Sequence, residues 1–183
     1  MFVFVSGPAR GGKSAWAEEF TLSLARQGKT PLVYLATAHV TDAEMRERVS
    51  RHQAARAGKG FTTLERETSV AEAAPFLPFG STVLLECLGT LLANEMFGEE
   101  GGACKLAEKI HADLTSLRGQ AANLLVVSND VFSDGNACGE VTENYRRTLG
   151  ALHVILAREA DLAVECVFVP QVYPNRRTTS RFT

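Results

Sequence analysis

A run of residues near the start of the chain combines a glycine-rich turn with a lysine and a serine. It reads Gly7-Pro8-Ala9-Arg10-Gly11-Gly12-Lys13-Ser14, with the spacing G-x-x-x-x-G-K-S. The glycines let the backbone turn tightly and point successive N–H groups at an anion. The lysine ammonium reaches the β- and γ-phosphates of a nucleotide, and the serine hydroxyl is a ligand for Mg²⁺. A turn that merely joins a strand to a helix is the alternative, but the complete motif favours a nucleoside triphosphate site.

A second candidate for metal chemistry is an acid at the end of an apolar, β-prone run. The run is Ser81-Thr82-Val83-Leu84-Leu85-Glu86-Cys87. This is the Walker-B pattern, in which the carboxylate holds Mg²⁺ directly or through water. A solvated acid at a strand end is the alternative. The phosphate-binding motif upstream favours a metal role for Glu86 together with Ser14.

The segment after the second apolar run is rich in arginine. It begins with a possible capping box from Thr41 to Glu44, and its basic residues are Arg46, Arg48, Arg51 and Arg56. Charge runs on helices are usually solvated faces. This one directly follows Thr37-Ala38-His39, at a strand end that should face the nucleotide because ligands of open α/β sheets bind there. The arginines are therefore candidates for contact with phosphates.

Apolar strands alternate with helical patterns along the chain, which predicts an α/β fold with a mainly parallel sheet flanked by helices on both faces. The predicted strands are 1–6, 31–36, 61–65, 81–87, 124–128 and 163–169, and the predicted helices are 14–27, 45–57, 70–76, 88–97, 103–117 and 142–160. The loops at 98–102 and 133–136 have turn composition, and the tail from Pro170 is expected to be irregular. Without a repeat or a linker, residues 1–183 are predicted to form one domain.

Composition narrows the class of protein. The 183 residues are 45% hydrophobic and 22% charged, with a formal net charge of −2. That balance gives no electrostatic case for nucleic acid or an anionic membrane surface as a partner. The cysteines Cys87, Cys104, Cys138 and Cys166 are scattered, which favours reduced thiols over a disulfide framework or a zinc site. No run has the length of a membrane span or the pattern of a signal peptide, so we expect a cytoplasmic protein.

Taken in order, these landmarks resemble the bifunctional adenosylcobinamide kinase / adenosylcobinamide-phosphate guanylyltransferase family of cobalamin biosynthesis. The resemblance spans essentially the whole chain. Beyond the glycine-rich motif, it rests on Tyr34-Leu35-Ala36-Thr37-Ala38, Asp42-x-Glu44-Met45-Arg46-x-Arg48-Val49-x-x-His52, Thr63-Leu64-Glu65, Leu84-Leu85-Glu86-Cys87 with Asn94, and, more weakly, Ser128-Asn129-Asp130, Tyr145-Arg146, Leu156-Ala157 and Ala160-Asp161. The segment that ends at His52 is much more specific than the phosphate-binding motif alone.

The resemblance implies a RecA-like P-loop NTPase fold, assembled as a trimer, that binds a small corrinoid substrate and a nucleotide. The first implied reaction phosphorylates adenosylcobinamide with GTP or ATP, and the second transfers GMP from GTP to the adenosylcobinamide phosphate, with Mg²⁺ as the metal. By its position in the motif, His52 is the residue that becomes guanylylated, and Lys13 is the second catalytic residue. A neutral imidazole, with an ordinary pKa of about 6.5, suits that role near neutral pH.

The same resemblance assigns nucleotide contacts to individual positions. These are Gly7, Pro8, Ala9, Arg10, Gly11, Gly12, Lys13, Ser14, Ala36, Thr37, Ala38, Gln53, Ala54, Ala55, Arg56, Glu65 and Glu86, of which Ser14 and Glu86 are the metal ligands. Of the other histidines, His39 is a rival nucleophile close to a strand end. His111 and His153 lie within helical patterns and are expected to be structural or solvated.

Two other functions remain open at this point because the carboxyl-terminal half departs from the family pattern. The departures include Ser128-Asn129-Asp130-Val131-Phe132 and Arg147, where the family has an acidic residue. One alternative is a divergent relative that keeps a single activity, guanylyl transfer. The other is a GTP- or ATP-binding switch without corrinoid chemistry, against which His52 argues because a switch needs no covalent carrier.

Overall fold

The computed structural model describes residues 1–38, 47, 50, 54, 56–98, 103–130, 139–167 and 169–174. The strands are β1 (Phe2–Ser6), β2 (Leu32–Ala36), β3 (Thr62–Glu65), β4 (Thr82–Glu86), β5 (Asn123–Val127), β6 (Leu162–Val167) and β7 (Val169–Pro174). The α-helices are α1 (Lys13–Gly28), α2 (Leu88–Gly98), α3 (Ala103–Gln120) and α4 (Glu140–Glu159), and a 3-10 helix covers Val70–Phe76. The strands and helices alternate along the chain as predicted.

The strands form one sheet in the order β3-β2-β4-β5-β1-β6-β7. The six strands β1 to β6 pair with one another only in parallel, which confirms the predicted α/β fold. The expectation of an irregular tail from Pro170 is wrong at its start, because β7 pairs antiparallel with β6 from Val169 to Pro174. Two prolines fit this strand because it lies at the edge of the sheet, where not every backbone N–H is needed.

Helices cover both faces of the sheet, because successive side chains on a strand point to opposite faces. On one face Val3 and Val5 pack in a cluster with Ala17 of α1. On the other, Phe2 and Phe4 belong to a larger cluster that α2, α3, α4 and the 3-10 helix cover. None of the described helices is long and apolar enough to cross a membrane.

Local chemistry explains most of the element boundaries. Helix α1 begins after Gly12, whose φ of 83° is left-handed, and ends at Gly28, before Lys29, which is also left-handed. Pro75 lies inside the predicted helix 70–76, which forms a 3-10 helix. Helix α4 begins at Glu140, earlier than the predicted start at Thr142. Of the predicted helix 45–57, residues 47, 50, 54 and 56 are helical, and the capping box at Thr41 and Glu44 lies outside the described residues.

The sheet register places the candidate site residues at one edge. Ala36 at the end of β2 is aligned with Glu65 of β3 on one side and with Glu86 of β4 on the other. Ser6 at the end of β1 is aligned with Glu165 of β6. Because these strands are parallel, their carboxyl ends meet at the same edge of the sheet, where the glycine-rich loop also leaves β1.

Candidate functional site

The loop from Gly7 to Ser14 is held between the ends of two strands. On the β5 side, the backbone N–H of Asp130 donates to the Gly7 carbonyl oxygen at 2.8 Å. On the β6 side, the carbonyl oxygen of Cys166 lies so close that an added Cβ would be 2.3 Å from it at Gly7 and 2.8 Å at Gly11. These two positions therefore require glycine for lack of space, and Gly7 does so also because its φ is +146°. At the crest of the loop, Pro8, Ala9 and Arg10 are exposed.

Lys13 is buried at the first position of α1, with 6% of its surface exposed. Its Nζ donates to the Pro8 carbonyl oxygen at 2.6 Å, so the ammonium lies under the loop that it is expected to serve. Burial lowers the pKa of Lys13 from its ordinary value, and the nearby carboxylates of Glu86 and Asp130 act in the opposite direction. A buried ammonium beside a glycine-rich loop at a helix N-terminus is suited to a highly charged anion.

Ser14 and Glu86 are brought together from distant parts of the sequence. The Ser14 hydroxyl donates to Oε1 of Glu86, so the end of β4 reaches the phosphate loop. A hydroxyl and a carboxylate oxygen side by side are the oxygen ligands that Mg²⁺ prefers, with water completing its shell. The residues present therefore fit the implied metal. Within the described ranges no group of three or more His, Cys, Asp or Glu side chains converges. Ser14 and Glu86 would hold the ion together with nucleotide oxygens.

Tyr34 connects this pair to Arg56. The Tyr34 hydroxyl donates to Oε2 of Glu86 at 3.1 Å, and the guanidinium carbon of Arg56 lies 3.4 Å from the centroid of the same ring. Both residues are buried, at 5% exposure for Tyr34 and 7% for Arg56. Burial raises the pKa of the Tyr34 hydroxyl above its ordinary value and the Glu86 carboxylate raises it further. The hydroxyl is therefore protonated, and a donor, at any physiological pH.

Thr37 braces the ends of β2 and β4. Its hydroxyl accepts from the backbone N–H of Cys87 at 2.8 Å and donates to the Cys87 carbonyl oxygen at 2.9 Å. Its own N–H donates to the Glu86 carbonyl oxygen at 3.2 Å, and its carbonyl oxygen accepts from Asn94 Nδ2 at 2.8 Å. Every polar group of this buried residue thus has a partner within the fold. Asn94 also donates to the Glu67 carbonyl oxygen at 2.9 Å, which ties the segment after β3 to the same brace.

The remaining predicted positions are only partly described. Ala36 and Ala38 are half-buried at the end of β2, and Ala54 and Glu65 are exposed. His52, Gln53 and Ala55 lie outside the described residues, as do His39, Arg46, Arg48 and Arg51. Beside Arg56 is an open groove of about 420 Å³, lined by Arg56, Ala57, Gly58, Gly60, Phe61 and Thr63.

Two histidines that sequence reasoning set aside each have a partner within the fold. His111 on α3 pairs with Glu159 of α4 at 2.9 Å on the surface. His153 on α4 lies 2.7 Å from the Ser128 hydroxyl and edge-on to the Phe4 ring, with centroids 5.1 Å apart. Burial lowers the pKa of His153 to about 4, so this imidazole is neutral at physiological pH. His111 therefore joins α3 to α4, and His153 packs α4 against the sheet.

Sequence reasoning did not assign a role to Tyr34 or Asn94, although both lie in the matching motifs. The signal for Tyr34 in the sequence was an aromatic residue with a polar tip within an otherwise aliphatic buried strand. Asn94 gave a similar signal, as an amide in an apolar helix that begins next to Glu86.

Comparisons with known proteins agree with the geometry. A family model described as cobinamide kinase / cobinamide phosphate guanyltransferase matches residues 3–169. The bifunctional adenosylcobalamin biosynthesis protein CobP of Pseudomonas aeruginosa is 28% identical over 157 residues, which are 86% of this chain and 87% of that protein. The protein CobU of the same description is 27% identical in Escherichia coli and 28% in Salmonella typhimurium, and each match covers 88% of this chain and 92% of the relative.

Proposed function

Because the chain belongs to the cobinamide kinase / cobinamide phosphate guanyltransferase family, we propose that it carries out both reactions on adenosylcobinamide at one nucleotide site, with His52 as a covalent carrier. The first reaction uses GTP or ATP, and the second uses GTP. The observation that carries the proposal is the convergence of Lys13, Ser14 and Glu86 at the phosphate loop, in a chain whose family match is nearly complete.

In the kinase reaction, the aminopropanol hydroxyl of adenosylcobinamide attacks the γ-phosphorus of the nucleotide, its proton passes to solvent, and the bond to the β-phosphate oxygen breaks. The N–H groups of the loop and the Lys13 ammonium hold the triphosphate and offset the charge that moves to the leaving diphosphate. Mg²⁺, when bound, supplies positive charge to the phosphate oxygens. Ser14 and Glu86 would hold the ion, and the Tyr34 hydroxyl donates to the other oxygen of the Glu86 carboxylate.

In the guanylyl transfer, the neutral imidazole of His52 attacks the α-phosphorus of GTP and pyrophosphate leaves. A phosphate oxygen of adenosylcobinamide phosphate then attacks the guanylyl phosphorus, the P–N bond breaks, and free His52 returns. The hydrogen bonds that join His111 to Glu159 and His153 to Ser128 support His52, because both other imidazoles already have partners within the fold. The buried guanidinium of Arg56, close in sequence to His52, supports a cationic environment for the phosphates.

Three broader features belong to the same proposal. Residues 1–183 act as one catalytic domain, the protein works in the cytoplasm, and the chain assembles with copies of itself as a trimer. The first is supported by the single sheet that contains every described strand. The second is supported by the free thiols of Cys87 and Cys166, and the third by the family resemblance.

The experiment that tests the carrier is incubation with GTP labelled at the α-phosphate in the presence of Mg²⁺. We expect a label on the protein that acid removes and base does not, because a phosphoramidate is acid-labile. His52→Ala should abolish the label, while the matched control His111→Ala should keep it. Equal labelling of His52→Ala and the wild-type protein would contradict the assignment, and labelling that fails only in His39→Ala would assign the carrier to the rival histidine.

A parallel experiment tests the kinase reaction and the single-activity alternative. Adenosylcobinamide is incubated with GTP or ATP labelled at the γ-phosphate, and we expect labelled corrinoid phosphate from the wild-type protein and from His52→Ala. Lys13→Ala should lose both reactions because both use the triphosphate site. Protein labelling without corrinoid phosphate would identify an enzyme with guanylyl transfer only. Binding of nucleotide without either product would identify the switch.

A further inference from the structure

Tyr34 contacts both Glu86 and Arg56. It lies on β2, aligned with Leu84 of β4, and its ring is on the face of the sheet that α1 covers. Phe61 packs edge-on against it, with centroids 6.4 Å apart. The ring is therefore held by packing, so that its hydroxyl and its face each meet a fixed neighbour.

The hydroxyl completes the hydrogen bonding of the Glu86 carboxylate. Oε1 of Glu86 accepts from Ser14 and Oε2 accepts from Tyr34. A carboxylate with a donor on each oxygen cannot rotate freely, so its direction is set before a metal arrives. Residues that orient a metal ligand in this way alter metal affinity strongly when they are removed.

The face of the ring holds Arg56. A guanidinium carbon 3.4 Å from the ring centroid is in contact with the π-face, and the attraction is strongest where water is excluded. Arg56 is 7% exposed, so it meets that condition. The segment that ends at Arg56 includes His52, which makes the position of Arg56 relevant to the proposed guanylyl transfer.

We propose that Tyr34 is a positioning residue that sets the Glu86 carboxylate through its hydroxyl and the Arg56 guanidinium through its ring. The Tyr34 side chain then fixes the Glu86 carboxylate at the phosphate loop relative to Arg56, which lines the groove. The hydroxyl half of this inference stands on the phosphate site alone, whereas the consequence for His52 rests on the proposed function.

Tyr34→Phe tests the hydroxyl half, because it removes one oxygen and keeps the ring. Binding of a non-hydrolysable GTP analogue is measured by calorimetry across a series of Mg²⁺ concentrations and in EDTA. We expect the Mg²⁺ concentration at half-saturation to rise about tenfold and the affinity in EDTA to stay unchanged. Tyr145→Phe is the matched control, since its hydroxyl donates to the Gly89 carbonyl oxygen at 3.1 Å on the other face of the sheet, and its Mg²⁺ dependence should equal that of the wild-type protein.

The Glu86→Gln background decides whether Tyr34 acts through the carboxylate. In that background Tyr34→Phe should change the Mg²⁺ dependence no further. An unchanged Mg²⁺ dependence in Tyr34→Phe alone, or an equal effect with and without Glu86→Gln, would overturn the hydroxyl half.

A double-mutant cycle tests the ring half. Tyr34→Leu and Arg56→Gln, singly and together, are compared by their unfolding equilibrium constants in urea. We expect a coupling of about fivefold or more, and additive effects would refute it. Tyr34→Leu should also label with α-labelled GTP more slowly than Tyr34→Phe, and equal rates would refute the link to His52. A wild-type protein that takes no label would defeat the proposed function, while the calorimetry and the cycle would still decide the role of Tyr34.

Discussion

Replacing Thr37 by valine tests whether this residue is a brace or a nucleotide contact. Valine has nearly the shape of threonine and lacks the hydroxyl that both accepts from and donates to the backbone of Cys87. The substitution therefore leaves the part-buried N–H of Cys87 without its partner, whereas the Cys87 carbonyl oxygen still accepts from the Leu91 N–H at 3.0 Å. No other contact of the Thr37 backbone is changed.

The expected loss follows from that N–H group. A donor that loses its partner inside the fold costs about 1–3 kcal/mol, so Thr37→Val should lower the free energy of unfolding by about 2 kcal/mol. Thr37→Ser keeps the hydroxyl and removes one methyl group, for which the expected loss is about 1 kcal/mol. The order wild type, serine, valine separates the hydrogen bonds from the packing.

Urea unfolding followed by the fluorescence of Trp16 and by far-ultraviolet circular dichroism measures both variants. Coincident transitions would license the two-state treatment that the comparison needs. If valine were within about 1 kcal/mol of the wild type, or if serine were as harmful as valine, the brace would be refuted.

Three further predictions concern other parts of the fold. Gly7→Ala should lower the free energy of unfolding by about 3 kcal/mol because its Cβ would lie 2.3 Å from a backbone oxygen. Gly119→Ala, whose Cβ would have nothing within 4 Å, should not lower it. Comparable urea midpoints for the two variants would contradict this. The folded-state pKa of His153, about 4, lies below the unfolded value, so the free energy of unfolding should fall by about 3 kcal/mol as the pH drops from 7 to 4. His153→Gln should lack that part of the pH dependence. Parallel curves of unfolding free energy against pH for the two proteins would be the contrary result. Lys109→Met should cost about 3–5 kcal/mol because Glu95, 2% exposed, loses an ammonium 2.5 Å away, and Glu95→Gln in the same chain should recover part of the loss in thermal unfolding.

The sequence predicted the central sheet because its strands are short, continuous apolar runs separated by helical patterns. β7 was missed for a physical reason. Pro170 and Pro174 argue against a strand in general, and only the position of β7 outside β6 makes them acceptable. Position in the sheet order is a tertiary property that composition does not carry. The start of α4 was placed too late because the helix begins after Gly139 without a side-chain cap.

For the site, the sequence predicted the residues that recur as motifs, such as Lys13 and Ser14. It could not predict which side chains would meet. Tyr34 and Arg56 are well separated along the chain, and the register of β2 against β4 brings the tyrosine to Glu86. Thr37 appeared as a ligand from its place in a motif, whereas the structure shows its polar groups engaged within the fold.

The close approach of Cys166 to the phosphate loop determines which substitutions the two segments can tolerate during evolution. The atom that crowds Gly7 and Gly11 is a backbone oxygen, which every amino acid provides. Position 166 can therefore vary among small apolar residues that fit its buried site, while the loop cannot vary with it. A substitution at position 166 cannot compensate for one at position 7, because no side chain at position 166 makes room for a side chain at position 7. In a library that randomises all three positions, functional variants should keep both glycines and diversify only at the cysteine.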